Sequence, residues 1–361
     1  MGAAARSIRL GLIEGDGIGP EVVVSARAVV DEALAAAGSP APEWVHLPIG
    51  HAAIAECGEP IPESTLSALE GLEGWILGPH DNASYAPEHR IGPPPGGAIR
   101  KRFGLYANIR PARAFEGVRA PAPDIDLVIV RENSEGFYAD RNMFAGSGEF
   151  GPTPDVAMSV AVITRGACER IAHEACRLAA ARRGRITIVH KANVLPMTMG
   201  MFRDVCLEVA AGYPGLRVGD EHVDATAAGL VRAPGTYDVM VTENLFGDIL
   251  SDLAAELSGS LGVAASLNCS AEQAMAQAVH GAAPALAGRN RANPIGLQLS
   301  AAMLLRWLGL RHDDPGVLGA ADRIDRAVAA TLAAGIATAD LGGLASTAEF
   351  TEQVCARVHR R

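Results

Sequence analysis

The stretch from Val241 to Leu257, VTENLFGDILSDLAAEL, most constrains what this chain can fold into. It follows directly on an apolar run, Tyr237 to Val241, that reads as a short buried strand, and its own apolar residues then recur at helical spacing. A strand handing over to a helix is the unit of an α/β architecture. Ile249, Leu250, Leu253 and Leu257 mark the expected buried stripe, and Asp248 and Asp252 fall beside it. Residues four apart share a helix face, where like charges repel by a few tenths of a kcal/mol. Two readings are open: a solvated face, or a divalent cation held by two hard oxygen ligands one turn apart.

The rest of the chain repeats the strand-to-helix theme. Ile8 to Ile13 reads as a first strand, Gly15 to Gly19 as a tight turn, and Pro20 to Ala37 as a helix followed by Gly38. The glycines run G-x-G-x-G-P, and Asp31 and Glu32 fall inside the helix, so the Rossmann fingerprint is absent. A strand near Glu43 to Leu47, a helix at Glu63 to Leu69 and a strand at Trp75 to Leu77 continue the alternation, and imply a largely parallel sheet. Gly78 to Gly97 and Met143 to Asp155 are expected as irregular loops, the second reaching away from the body. Asp126 opens a buried strand that ends in Arg131; Ala157 to Thr164 alternates like a strand, and Thr164 can cap a helix running to about Arg182. Ile186 to His190 is a strand, Thr198 to Ala211 and Asp224 to Val231 are helices, and Ser258 to Gly262 is a crossing. Helices start at Pro294 and Pro315, and Ser346-Thr347-Ala348-Glu349 is a capping-box pattern for a last one.

At 361 residues the chain needs two cores. Its formal net charge of -10 opposes a nucleic-acid partner, although locally clustered arginines still suit small anions. Six cysteines, at 57, 168, 176, 206, 269 and 355, show neither Cys-x-x-Cys nor zinc spacing and read as small hydrophobes in a reducing compartment. Neither a signal peptide nor a membrane span is expected, which places the chain in the cytoplasm.

The residues with chemistry sit at the ends of these elements. Three arginines, Arg100, Arg110 and Arg131, offer forks that bind carboxylates at two points, so their convergence would select a substrate with more than one carboxylate. Tyr138 and Lys191, near a metal, would exchange protons with an enolate and a hydroxyl. The loop His280-Gly281-Ala282-Ala283-Pro284 can wrap a flat ring, with Asn293 supplying an amide.

Six motifs, in order, carry a resemblance. They are Gly15 to Glu21, Tyr106 to Pro111, Val130 to Gly136, His190 to Val194, Asn244 to Asp252, and His280 to Pro284 with Ala292-Asn293-Pro294. On these the chain resembles the isocitrate/isopropylmalate dehydrogenases, the metal-dependent β-decarboxylating dehydrogenases that include homoisocitrate, tartrate and D-malate enzymes. The resemblance implies a two-domain, non-Rossmann α/β fold. Residues 1–106 and 259–361 would form a cofactor-side domain, and 107–258 the dimerisation, metal and substrate domain. It implies that Arg100, Arg110 and Arg131 hold the malate carboxylates, and that Asp248 and Asp252 bind Mg²⁺ or Mn²⁺. Asp224 and Lys191 would come from the partner subunit of a homodimer with shared active sites, Asp224 as a further metal ligand. Lys191 would take the 2-hydroxyl proton and Tyr138 would protonate the enolate left by CO₂ loss. His280, Gly281, Ala282, Ala283 and Asn293 would hold adenosine, with Asn193, Glu243 and Asn244 near the cofactor.

Two departures bear on specificity. NAD members of the family usually carry an Asp after His-Gly-x-Ala-Pro, and NADP members a Lys followed by a Tyr; this chain has Ala285 and Leu286. NAD is the expected cofactor, because no basic cluster for a 2′-phosphate stands there, with Arg289 close by in sequence. Before Arg100 the stretch Gly92 to Ile99 lacks both the Glu and paired leucines of isopropylmalate enzymes and the Ser and Asn of isocitrate enzymes. The expected reaction is oxidative decarboxylation of a 3-substituted (R)-malate, with tartrate, D-malate, isocitrate and homoisocitrate as rival substrates. A non-catalytic regulatory subunit is the rival of another class, disfavoured because Tyr138, Lys191, Asp224, Asp248 and Asp252 are all present.

Overall fold

The computed structural model describes residues 8–138 and 148–360, and the chain divides into two compact units. The first takes the chain up to Phe103, the short stretch Phe115–Arg119 and everything from Gly259 onward; the second takes Gly104–Ala114 and Ala120–Ser258. The break thus falls three residues before the expected one, and Phe115–Arg119 returns to the first unit. Gly117 makes that return possible: its φ is +86°, and a Cβ there would lie 2.1 Å from the Leu332 carbonyl oxygen. Among the described residues no helix is long and apolar enough to cross a membrane.

In the first unit β1 (Arg9–Ile13) lies between β2 (Glu43–His46) and β3 (Gly74–Leu77), and the order continues through β12 (Ala274–Gln277) to β11 (Leu267–Cys269). All pairs are parallel except β11 with β12. Helix α1 (Gly19–Ala36) packs with α9 (Ile295–Arg311), α10 (Pro315–Ala333) and α11 (Thr347–Val358), while α2 (Gly50–Cys57) and α3 (Glu63–Glu70) connect the first strands. The ends follow the sequence: Ser346 and Glu349 form the capping box of α11, and Asp314 accepts the Gly316 and Val317 N–H groups at the start of α10. The stretch expected as irregular up to Gly97 instead contains the start of α4 (Pro95–Arg102), which raises Arg100 on its last turn. Gly96 and Gly97 are poor helix formers and mask it, while Pro95 fits a first turn.

In the second unit the order is β4 (Ala107–Arg113), β5 (Asp126–Glu132), β10 (Val239–Thr242), β8 (Arg185–His190) and β9 (Arg217–His222), parallel except β4 with β5. Helix α5 (Arg165–Ala180) starts on Thr164, whose hydroxyl accepts the Ala167 N–H at 3.3 Å, as the sequence predicts; α6 (Thr198–Ala211) and α7 (Val223–Arg232) follow. Part of the expected loop from Met143, up to residue 147, lies outside the described residues. Its remainder pairs as an exposed two-stranded sheet, β6 (Glu149–Thr153) with β7 (Val156–Ser159).

Helix α8 (Asn244–Ser258) lies on β5 and β4, and packs Leu250 and Ala254 against Leu127, Ile129 and Met240. Of the expected stripe, Leu250 is buried and Leu253 and Leu257 pack half-buried on the same core, while Ile249 departs from it. Ile249 is 59% exposed, and the face turned inward is Gly247, Leu250, Ser251, Ala254 and Ala255. Small residues win because they let the helix approach the sheet closely: a Cβ at Gly247 would lie 2.6 Å from Arg131 Cγ. Gly247→Ala is therefore expected to destabilise the fold by about 1–3 kcal/mol through overpacking, read as a lower urea midpoint with an unchanged slope.

Candidate active site

The β4 and β5 register brings two guanidinium groups together. Arg131 pairs with Asn108, and Arg110 stands two residues further along β4, so the alternation of side chains puts all three on one face. Helix α8 covers that face and lowers two carboxylates onto it. Arg110 Nη1 lies 3.3 Å from Asp248 Oδ1, 3.4 Å from Asp252 Oδ1 and 2.6 Å from Ser251 Oγ. Arg131 Nη1 pairs with the same Asp248 oxygen. The aspartates thus keep a solvent-facing edge, and their mutual repulsion is relieved by a buried arginine that spans both. Tyr138 joins them, donating its hydroxyl to Asp248 Oδ2 at 3.0 Å with the Arg131 guanidinium 5.5 Å from its ring. Ser251, missed in the sequence because a serine between two aspartates carries no motif, completes the contacts of Arg110.

Charge coupling tunes each group. Burial, with Arg131 beside it, pulls Arg110 down to about 10 against the pull of Asp248. Burial pushes the Asp248 carboxyl up, but Arg131 and Arg110 outweigh it and hold it below the usual range. Asp252 is raised by burial and by the Asp248 charge, against Arg110. Two exposed-edge carboxylates of unlike proton affinity beside two buried cations are a hard oxygen donor set that fits a divalent cation, the rest of its shell coming from substrate and water.

Asn244, expected near the cofactor, stands against Arg131. Its Oδ1 accepts Arg131 Nε at 2.9 Å and Nη2 at 2.7 Å, and its Nδ2 donates to the Glu135 carbonyl at 2.9 Å. Fully buried and bonded through both its amide oxygen and its amide nitrogen, it fixes the Arg131 fork. Glu243 is also buried, which raises its carboxyl, and it accepts the Leu245 and Phe246 N–H groups at the start of α8. Asn193 is exposed.

Lys191, just past β8, pairs with Asp224 on the first turn of α7, and the ammonium holds that carboxyl below its usual range. His190 steadies this corner: Nδ1 accepts the Ala192 N–H at 3.1 Å, so Nε2 carries the proton facing Asp220 Oδ2 at 3.0 Å. Among the described residues no hydrogen bond or ion pair joins Lys191 and Asp224 to the Asp248 cluster, and no three His, Cys, Asp or Glu side chains gather as a metal-binding group.

Arg100, in the first unit, donates to Gln277 Oε1 at 2.7 Å. That unit also holds a cavity of about 430 Å³, lined among others by Ile18, Gly262, His280, Asn293 and Asp340, within the range of small-ligand sites. Gly262 keeps it open, since a Cβ would come 2.5 Å from Asp340 Oδ2. Burial lowers the proton affinity of the His280 ring, and among the described residues its buried Nε2 has no partner. Asn293 donates to Asp340 at 2.8 Å and accepts the Ile295 N–H at 2.9 Å. The open cradle and the unmatched ring nitrogen fit the flat, polar adenosine end of a dinucleotide. Asp340 was not foreseen: nothing in its sequence neighbourhood marks it as a wall of this cavity.

The family model described as isocitrate/isopropylmalate dehydrogenase matches residues 9–354. The isocitrate/homoisocitrate dehydrogenase of Thermus thermophilus is 43% identical over 352 residues, covering 96% of this chain and 97% of that one. The 3-isopropylmalate/3-methylmalate dehydrogenase of Methanocaldococcus jannaschii is 38% identical over 352 residues, covering 96% and 98%. The crystal structure of isocitrate dehydrogenase from Methylococcus capsulatus superposes with a TM-score of 0.85 at 38% identity, covering 98% of this chain and 100% of that one.

One buried group next to this framework titrates near neutrality. Glu135 accepts the Thr164 N–H and hydroxyl, yet burial, with the Glu132 charge behind it, raises its carboxyl to about 7. The folded state therefore holds the proton more tightly than the unfolded state, whose carboxyl sits near 4.5. That contribution to stability is full at low pH and is lost as pH rises toward 7. The melting temperature is expected to fall between about pH 5 and pH 8, and Glu135→Gln is expected to flatten that fall in calorimetry.

Proposed function

The chain belongs to the isocitrate/isopropylmalate dehydrogenase family and is a decarboxylating dehydrogenase, and from that premise we propose that it oxidises and decarboxylates a 3-substituted (R)-malate of the 3-isopropylmalate kind, with NAD and Mg²⁺ or Mn²⁺. The carrying observation is the cluster in which Arg110 and Arg131 lie against Asp248 and Asp252. Two forks there suit the two carboxylates of a malate, and Arg100 is the third fork of the same reading. When bound, the cation supplies Lewis-acid stabilisation of charge on the substrate oxygens, and the nicotinamide accepts a hydride.

This chain's residues do the rest. Arg110 and Arg131 orient the carboxylates, and Asn244 and Ser251 keep those forks aimed. Lys191, reaching the site of the second copy as the free amine, removes the 2-hydroxyl proton, and Asp224 pairs with the ammonium that forms. The Tyr138 hydroxyl, already donating toward Asp248, delivers a proton to the carbon freed of CO₂. The cavity at His280 and Asn293 takes the adenosine end, as NAD in this reading because no Lys follows Pro284.

The same reading includes a homodimer with shared sites. Asp224 is exposed and apart from Asp248 in one chain, so it serves as a metal ligand only toward a second copy. Phe150, Met158, Val231 and Ile249, all on the second unit, are exposed apolar side chains that such a copy would cover. The free cysteines fit a reducing cytoplasm.

A panel of purified protein with Mn²⁺, NAD or NADP, and isopropylmalate, isocitrate, homoisocitrate, D-malate and tartrate tests this. Turnover is expected, and Asp252→Asn is expected to lower kcat at least about a hundredfold while the dimer persists in size-exclusion chromatography. Absence of turnover with every acid in a folded protein sinks the proposal, and activity of the Asp252→Asn protein at the wild-type level sinks the metal assignment.

A further inference from the structure

The adenosine cavity carries one charged group whose use nothing so far explains. Past Pro284 the wall is apolar, formed by Leu286 from a single turn, and the position that holds a carboxylate in NAD members of the family is Ala285. A phosphate on the ribose is therefore not rejected from that side. The carboxylate in the lining is Asp340, and it is already spent. Its Oδ2 accepts Asn293 Nδ2 at 2.8 Å and Ser260 Oγ at 3.2 Å, and its Oδ1 accepts Thr338 Oγ1 at 2.6 Å. Arg291 also lines the cavity, and among the described residues no ion pair or hydrogen bond occupies its side chain. An exposed, unspent guanidinium at the rim of a cavity without a competing free carboxylate is a phosphate receptor, because its fork matches two phosphate oxygens.

We propose that Arg291 receives the 2′-phosphate of NADP, so that this chain takes the phosphorylated dinucleotide as well as NAD. The inference rests on the reading of this cavity as the adenosine site, and it makes Arg291 the residue that sets cofactor preference. Only Arg291 is asked to change its partner, from water to phosphate; Asp340, Asn293 and His280 keep the contacts they have.

Isothermal titration of the apoprotein separates the two layers, with 5′-AMP as probe for the adenosine site and 2′,5′-ADP, which adds only a 2′-phosphate, as probe for the extra phosphate. The wild-type protein is expected to bind 2′,5′-ADP about tenfold more tightly than 5′-AMP, the gain of one charge-assisted contact. Arg291→Ala is expected to erase that difference and leave 5′-AMP within about twofold, with Arg291→Lys keeping part of it as a point charge. Equal affinity for the two probes, or an equal loss of both in Arg291→Ala, overturns the inference while leaving the adenosine site standing. Binding of neither overturns both. A protein that shows the phosphate preference but turns over no acid upholds Arg291 and refutes the proposed reaction instead.

Discussion

Arg110 and Arg131 are two guanidinium groups buried side by side, and the second unit is arranged so that they can be. Burying charge costs several kcal/mol per ion unless it is paired with good geometry, and two like charges next to each other raise that cost. Asp248, shared between both forks, and Asp252, against Arg110, offset it. Asn244 accepts from Arg131, and Asn108 and Ser251 accept from Arg110. Formal charge in the cluster sums to zero, two positive against two negative. The mild repulsion expected between the aspartates is thereby converted into mutual neutralisation by the face that α8 covers.

The fold delivers this cluster by ordinary means. The β4 and β5 alternation sets both arginines on one face, the close approach of α8 at Gly247 brings the aspartates within reach, and the start of α8 supplies Asn244. The first unit carries Arg100 on α4 and a cradle at Gly262 and His280. Nothing unusual in propensity is needed at any of these points. The specificity lies in register and in small residues.

That is also why part of it was legible in sequence and part was not. The buried strands expected to end in Arg131, His190 and Val241, the helices after them, and the caps at Thr164 and Ser346 follow from apolar runs and short-range hydrogen bonding, which are local. Ile249 was misassigned because apolarity alone predicts burial, whereas close packing chose Gly247 and Ser251. Helix α4 was hidden by two glycines, and β9, with its polar exposed sequence at a sheet edge, shows no alternation at all. Asp340 and Arg291 stand far from His280 or unannounced beside it, and only the folded chain gathers them on one cavity.

A neutral cluster has a consequence for binding. A malate dianion alone would leave it two charges negative, and a divalent cation alone two charges positive; together they restore balance, so each should bind better in the presence of the other. The most direct measurement is a Mn²⁺ titration of the purified protein, followed by electron paramagnetic resonance, with and without saturating (R)-malate. This account predicts that (R)-malate tightens Mn²⁺ binding about tenfold or more, the scale of ordinary site-to-site coupling. Mn²⁺ affinity that is the same with and without (R)-malate would contradict it.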